Sequence, residues 1–243
     1  NGTKELILIA QDLTYYGLDI YGKRNLSDLL RHLSDVDGIE WIRLQYAYPS
    51  GFPMDILDVM NERSNICNYL DMPLQHISDN MLTKMRRHIT SQQTYELMHR
   101  LREEVPGIHL RTTLLLGHPG ETEDDVEQLK QFIRDIRFER LGAFAYSDEE
   151  GTYSNKTYSD EIPFDVKQQR VDEIMSIQEG IAAELNEQKI GRTLRVMIDR
   201  QEGEYFIGRT EYDSPEVDGE VLIPIESNPA LEIGALYPIT ITR

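Results

Sequence analysis

Residues able to do chemistry gather in this chain directly behind short apolar runs. Gln11-Asp12 follows Leu6-Ile7-Leu8-Ile9-Ala10, and Tyr48-Pro49 follows the run from Trp41 to Tyr46. Pro73-Leu74-Gln75-His76, Gly117-His118-Pro119-Gly120 and Tyr146-Ser147-Asp148-Glu149-Glu150 end three more such runs. In parallel α/β sheets, ligands sit at the carboxyl ends of strands, so five polar ends together favour a site, although any one of them alone also reads as a turn. The glycines of Gly117-His118-Pro119-Gly120-Glu121-Thr122 let the backbone turn sharply and approach a ligand, and a helix N-terminus beyond offers N–H groups. It is not a Walker loop, since no Lys-Ser/Thr follows, and no GxGxxG occurs. Arg86, Arg87 and Arg111 lie near strand ends, where an arginine fork suits a ligand carboxylate; on a helix, an arginine such as Arg86 is also ordinary surface. His76 and His118 lack metalloenzyme spacing, so no metal is expected there. Cys67, among apolar neighbours, is expected to be packed rather than nucleophilic.

The elements that must carry these residues alternate. The apolar run Leu6–Ala10 reads as a strand buried on both faces. A helix over Leu26–Leu33 behind Asn25, a strand over Trp41–Tyr46, a helix over Met54–Met60 and a strand over Tyr69–Leu74 follow. Ser78 opens a helix, and Thr90 with Gln93 forms a capping box for another that runs to Glu104 and stops at Pro106-Gly107. Arg111–Leu116 is the clearest strand; Thr122 with Asp125 caps the next helix, and Leu141–Tyr146 is again a strand. This alternation means a parallel sheet, either doubly wound or curled into a barrel. After Pro163, Val171, Ile174, Gln178, Ile181 and Leu185 make one helical stripe, with a stop at Gly191. From Thr193 the period becomes two: Leu194/Val196/Ile198, Val221/Ile223/Ile225 and Tyr237/Ile239/Ile241 each share a face, with turns at Glu202-Gly203, Asp218-Gly219 and Gly234. That tail reads as a small antiparallel β-barrel of about 50 residues.

Composition narrows the partners. The 243 residues carry 43 acids against 25 bases, a net charge of −18, which argues against gripping phosphate backbones by bulk charge and favours a basic partner. From Asn186 onward, eleven acids against six bases leave −5. No apolar run approaches the ~20 residues needed to span a bilayer, and without a visible signal peptide the chain reads as cytoplasmic. A single cysteine excludes an internal disulfide framework or a multi-cysteine metal site within this chain. The opening Asn-Gly-Thr, running straight into an apolar strand, reads as a piece of a longer protein.

The motifs resemble a known family. Leu8-Ile9-Ala10-Gln11-Asp12 with Tyr15-Tyr16-Gly17, Arg43-Leu44-Gln45-Tyr46 with Tyr48-Pro49, Asp71-Met72-Pro73-Leu74-Gln75-His76 with Met85-Arg86-Arg87, and Arg111 through Thr122 look like the methylthiotransferases, which are radical S-adenosylmethionine enzymes. The chain from about Gln188 resembles the TRAM domain appended to them. Phe144 through Thr152, with Gly208-Arg209-Thr210 and Asp213-Ser214-Pro215-Glu216-Val217-Asp218-Gly219, resembles the RimO branch, which modifies an aspartate of a small-subunit ribosomal protein; the MiaB branch modifies tRNA. The resemblance covers essentially the whole chain. The family's CxxxCxxC motif and its further amino-terminal domain are absent, so the resemblance implies a partial radical-SAM (β/α) barrel over 1–163, lacking its first strand and cluster loop, a connecting helix over 164–187 and an OB-like TRAM β-barrel over 188–243.

By resemblance, the complete enzyme uses S-adenosylmethionine and two 4Fe-4S clusters, neither of which this chain can ligate with one cysteine. The complete enzyme would cleave S-adenosylmethionine reductively, remove hydrogen from the aspartate β-carbon and add sulfur and a methyl group; this chain alone would be inactive, with no catalytic residue or metal of its own. Cofactor contacts are assigned to Gln11, Gln75, Arg87, Arg111 and Gly117, and contacts to a basic small-subunit ribosomal protein to Glu149, Glu150, Asp213, Glu216 and Asp218. No direct nucleic-acid or membrane binding is expected, and the chain is taken as a monomer. The rival readings are a tRNA methylthiotransferase of the MiaB branch and a non-catalytic fragment that only binds ribosomal protein.

Overall fold

The computed structural model describes residues 2–242; Asn1 and Arg243, the latter one of the tail's six bases, lie outside the described residues. Its elements are β1 (Glu5–Leu8), a 3-10 turn (Leu13–Tyr15), α1 (Leu18–Tyr21), α2 (Leu26–Ser34), β2 (Trp41–Leu44), α3 (Asp55–Glu62), β3 (Ile66–Asp71), α4 (Asp79–Lys84) and α5 (Ser91–Glu104). Then come β4 (His109–Leu116), α6 (Glu123–Ile136), β5 (Arg140–Ala145), α7 (Tyr153–Thr157), α8 (Phe164–Glu187), β6 (Thr193–Glu202), β7 (Tyr205–Thr210), β8 (Val221–Pro224), a 3-10 turn (Ile225–Ser227) and β9 (Leu236–Thr240). The parallel strands follow chain order, β1-β2-β3-β4-β5, and the antiparallel tail sheet runs β8-β7-β6-β9. Two compact units result: Asn1–Gln45 with Met54–Leu70 and Leu185–Arg243, and Tyr46–Pro53 with Asp71–Glu184.

In the first unit, β1 pairs in parallel with β2 from Glu5↔Trp41 to Leu8↔Leu44, and β2 is buried throughout. The expectation that Leu6–Ala10 is buried on both faces is corrected. The strand stops at Leu8, and Ile7 and Ile9 are 36% and 60% exposed, because β1 is an edge strand with a single neighbour. Val196, Ile198, Phe206 and Ile223 form the tail's own core, with Val221, Ile225, Tyr237 and Ile239 packed on it, as the period-two faces require. The tail also packs on β2 and β3: Met197 and Leu236 close over Trp41, Cys67 and Tyr69. Beside that cluster lie two arginines and two acids. Arg43 Nε donates to Glu5 Oε1 at 2.9 Å, Arg209 pairs with Glu5, and Arg209 Nε lies 2.9 Å from Asp199 Oδ2.

In the second unit, β4 and β5 pair in parallel from Arg111↔Arg140 to Leu116↔Ala145. β4 alternates: Leu110, Thr112, Leu114 and Leu116 are buried, while Arg111, Thr113 and Leu115 on the other face are partly open. Ser78 caps α4, and Thr90/Gln93 and Thr122/Asp125 both close reciprocal capping boxes. Val126, Leu129, Phe132 and Ile133 of α6 are fully buried, with Phe132 edge-on to Phe138 at 5.6 Å.

Candidate functional site

Three successive strand ends in the second unit turn through left-handed backbone: Tyr46 (φ 59°), Gln75 (φ 71°) and Gly117 (φ 79°). For Tyr46 and Gln75 that conformation is costly and persists only where the surroundings fix it. Gln75 is fixed by β4: its N–H donates to Thr113 O and its O accepts from Leu115 N–H, both at 2.9 Å. Tyr46 is held through Asp71, whose carboxylate accepts the Tyr46 N–H while its backbone O accepts the Ala47 N–H.

Asp71 is 2% exposed and receives Arg111 Nη1 at 3.0 Å. The arginine fork that the sequence assigns to a ligand carboxylate therefore already holds a carboxylate of the protein. Arg111 also stands near the amino end of β4, six residues before Gly117, about 20 Å away along an extended strand; it does not share the strand end with Gly117. Arg87 reaches the stretch just before Gln75: its Nη2 donates to Pro73 O at 2.5 Å, its guanidinium lies 4.4 Å from the Tyr48 ring centroid, and Tyr48 Oη donates to Arg87 O at 2.9 Å.

Behind Gly117 lies a buried ionic cluster to which sequence reading assigned no role. Gly117 N–H donates to Glu121 Oε2 at 2.8 Å, and Arg170 Nη1 donates to the same oxygen at 2.8 Å. Glu121 Oε1 lies 3.4 Å from His76 Nε2. Lys167, 4% exposed, ion-pairs with Asp160 at 2.5 Å, and its stem fills the space a Cβ on Gly117 would need. His118 Nε2 meets Ser154 Oγ at 2.8 Å, and burial pushes the His118 pKa down. The only signal for this cluster is a glutamate next to the glycine turn, masked there by the capping pattern of Thr122.

The remaining assigned residues are dispersed. Gln11 is exposed in the first unit, just before the turn capped by Asp12. Glu149 and Glu150 are exposed beyond β5 in the second. In the tail loop, Asp213 is 4% exposed and accepts from Thr210 Oγ1 at 2.5 Å; Asp218 accepts from Tyr69 Oη and Ser214 N–H, both at 2.8 Å. Glu216 alone of the three is exposed.

These residues fit the two implied cofactors differently. Guanidinium groups, turned backbone and the 60% exposed Phe144, on the open face of β5, suit a ligand with a carboxylate and a flat base, as S-adenosylmethionine has. A 4Fe-4S cluster does not fit: Cys67 is the single thiol, is 1% exposed, and burial pushes its pKa up to about 12. No group of three or more His, Cys, Asp or Glu able to hold a metal occurs among the described residues, and no helix of the described residues is long and apolar enough to cross a membrane.

The family model of the radical SAM superfamily matches residues 1–133, and that of the TRAM domain matches 190–243. The chain is 62% identical over 242 residues to the ribosomal protein uS12 methylthiotransferase RimO of Porphyromonas gingivalis, covering 100% of this chain and 56% of that protein. It is 58% identical over 241 residues to the enzyme of that name from Bacteroides thetaiotaomicron, covering 99% and 55%. The chain thus spans about half the length of these curated relatives. Among solved structures it is similar to the radical SAM coproporphyrinogen III oxidase HemN of Escherichia coli, with a TM-score of 0.53 and 16% identity over 69% of this chain and 43% of that one. It also resembles the archaeal Elp3 of Methanocaldococcus infernus, with a TM-score of 0.51 and 12% identity over 73% and 45%. Both show the fold alone.

Proposed function

From a chain that belongs to the radical SAM superfamily and ends in a TRAM domain, we propose the carboxy-terminal portion of a RimO-type enzyme that methylthiolates the β-carbon of an aspartate in a small-subunit ribosomal protein. The observation that carries this is the 62% identity, along the whole of this chain, with about half of a relative named as a uS12 methylthiotransferase. The organisation we propose is a partial (β/α) barrel over 1–163, a connecting helix over 164–187 and the TRAM barrel over 188–243, in a cytoplasmic monomer.

S-adenosylmethionine, when bound, would supply the radical initiator and the methyl group. Gln11, Gln75, Arg87, Arg111 and Gly117 are proposed to contact it. Arg111 would do so from beside Asp71, which its Nη1 already holds at 3.0 Å. The clusters would be ligated outside this chain, so the chain alone is expected to be inactive. Glu149, Glu150 and Glu216 are exposed carboxylates suited to steering a basic protein, while Asp213 and Asp218 would shape the loop that presents Glu216. The −5 balance of the tail favours that partner over tRNA.

The test uses the complete protein, prepared anaerobically with its upstream segment and supplied with S-adenosylmethionine, a reductant and either uS12 or tRNA. A methylthio mass on one aspartate of uS12, and none on tRNA or with this chain alone, is expected; modified tRNA with untouched uS12 would assign the MiaB-type activity instead.

A further inference from the structure

We propose that Glu121 is a positioning residue for the cofactor site, clamping the two left-handed turns at Gln75-His76 and Gly117 to each other and to α8. The inference rests on the reading of Gln75 and Gly117 as S-adenosylmethionine contacts. The Glu121 side chain is fully buried, and each carboxylate oxygen has a separate task. Oε2 accepts the Gly117 N–H and Arg170 Nη1, both at 2.8 Å. Oε1 faces His76 Nε2 at 3.4 Å, and neither of those two atoms has a hydrogen-bond partner within normal reach.

The histidine is oriented for this contact. Its Nδ1 accepts the N–H groups of Ile77 and Ser78, at 2.9 and 3.1 Å, which leaves the ring hydrogen on Nε2, the nitrogen on the Glu121 side of the ring. His76 is covalently next to Gln75, whose φ of 71° needs support from its surroundings. On the far side, Arg170 of α8 bridges Glu121 and Glu123, and Lys167, one turn earlier, packs its stem against Gly117. A buried ion is a poor source of net stability compared with apolar packing but fixes geometry well once its partners are in place. Here the geometry fixed is that of the two turns that would touch the cofactor.

Glu121→Gln keeps the volume and an acceptor for Gly117 but turns an amide NH2 towards the His76 Nε2–H, donor against donor. Two readouts separate positioning from mere stability. In this chain, the amide resonances of Gly117 and Gln75 are compared with that of Val196 in the tail core; in the complete, cluster-loaded protein, S-adenosylmethionine affinity is measured by calorimetry. Expected are moved Gly117 and Gln75 resonances, an unmoved Val196, a retained cooperative thermal transition and an affinity lowered about tenfold, the lower end of the effect of losing an outer-shell partner. If Glu121→Gln does not fold, Arg170→Gln is judged by the same readouts. An unmoved Gly117 resonance, wild-type affinity, or changes spread over the whole chain would overturn the inference. A complete wild-type protein that fails to bind S-adenosylmethionine would instead overturn the underlying reading of the site, and the inference with it.

Discussion

Arg43→Met should strike the first unit at its most heavily invested point. Arg43 is completely buried, donates to Glu5 Oε1 at 2.9 Å and to Glu211 O at 2.7 Å, and lies 4.9 Å from the Tyr69 ring centroid. Methionine keeps the volume but leaves two acids, Glu5 and Asp199, facing one cation, Arg209. Burial already pushes the Asp199 pKa up against the pull of Arg209, so this pocket is a hard place for an extra negative charge. Breaking a buried pair from one side costs about 3–5 kcal/mol, and the stranded Glu211 carbonyl adds about 1–3 kcal/mol. With a urea slope of about 2 kcal/mol/M, the midpoint should fall by about 2 M or more. Trp41, the chain's single tryptophan, sits 5.9 Å from the Arg43 guanidinium, so its emission during a urea titration reports this unit. Adding Glu5→Gln restores the balance to one acid and one base and should recover at least half of the loss. A loss below about 1 kcal/mol for the single variant, or no recovery in the double, would refute the charge argument; neither is compatible with a buried pair broken from one side.

Cys67 should resist iodoacetamide at pH 8 in the folded chain and react fully in urea, as its buried thiol with a pKa near 12 requires; stoichiometric labelling of folded protein, read by mass spectrometry, would contradict its packing beneath the tail. His118, held below the usual histidine range by burial, is neutral in the fold while the unfolded chain takes up its proton near pH 6.5. The unfolded state binds more protons between those two values, so stability should decline as pH drops from about 6.5 towards the folded value, and His118→Gln should flatten that slope in thermal melts across the same range.

Local rules carried much of the fold, and long-range pairing carried the rest. Both capping boxes, the Ser78 cap and the α8 stripe were readable because each is written within a few residues. β7 was missed: Gly208-Arg209-Thr210 does not look like a strand until Arg209 finds Glu5 and Asp199. Ile225 packs with Val221 and Ile223 on one core, as the period-two reading has it, but opens a 3-10 turn just after Pro224. The site divides similarly. Glycines at a strand end announce themselves, whereas Asp71 meets Arg111 from 40 residues away and Glu121 meets Arg170 from 49, distances at which the sequence carries no pairing signal. Proximity to a strand in the text also does not say which end of it a residue occupies, and Arg111 lies at the amino end.

The first unit is assembled from three stretches of chain, and that has a consequence for biosynthesis. Arg43 is neutralised by Glu5 early in the text, but its carbonyl partner Glu211 lies 168 residues downstream. At 5–20 residues per second, a ribosome needs on the order of ten to thirty seconds to deliver that partner. Until Met197 and Leu236 are made, Trp41, Cys67 and Tyr69 lack their cover. The nascent chain therefore carries an exposed, cation-bearing apolar face until β6 and β9 emerge, a stretch of time in which a chaperone, or an early stop codon, decides whether the unit is ever completed.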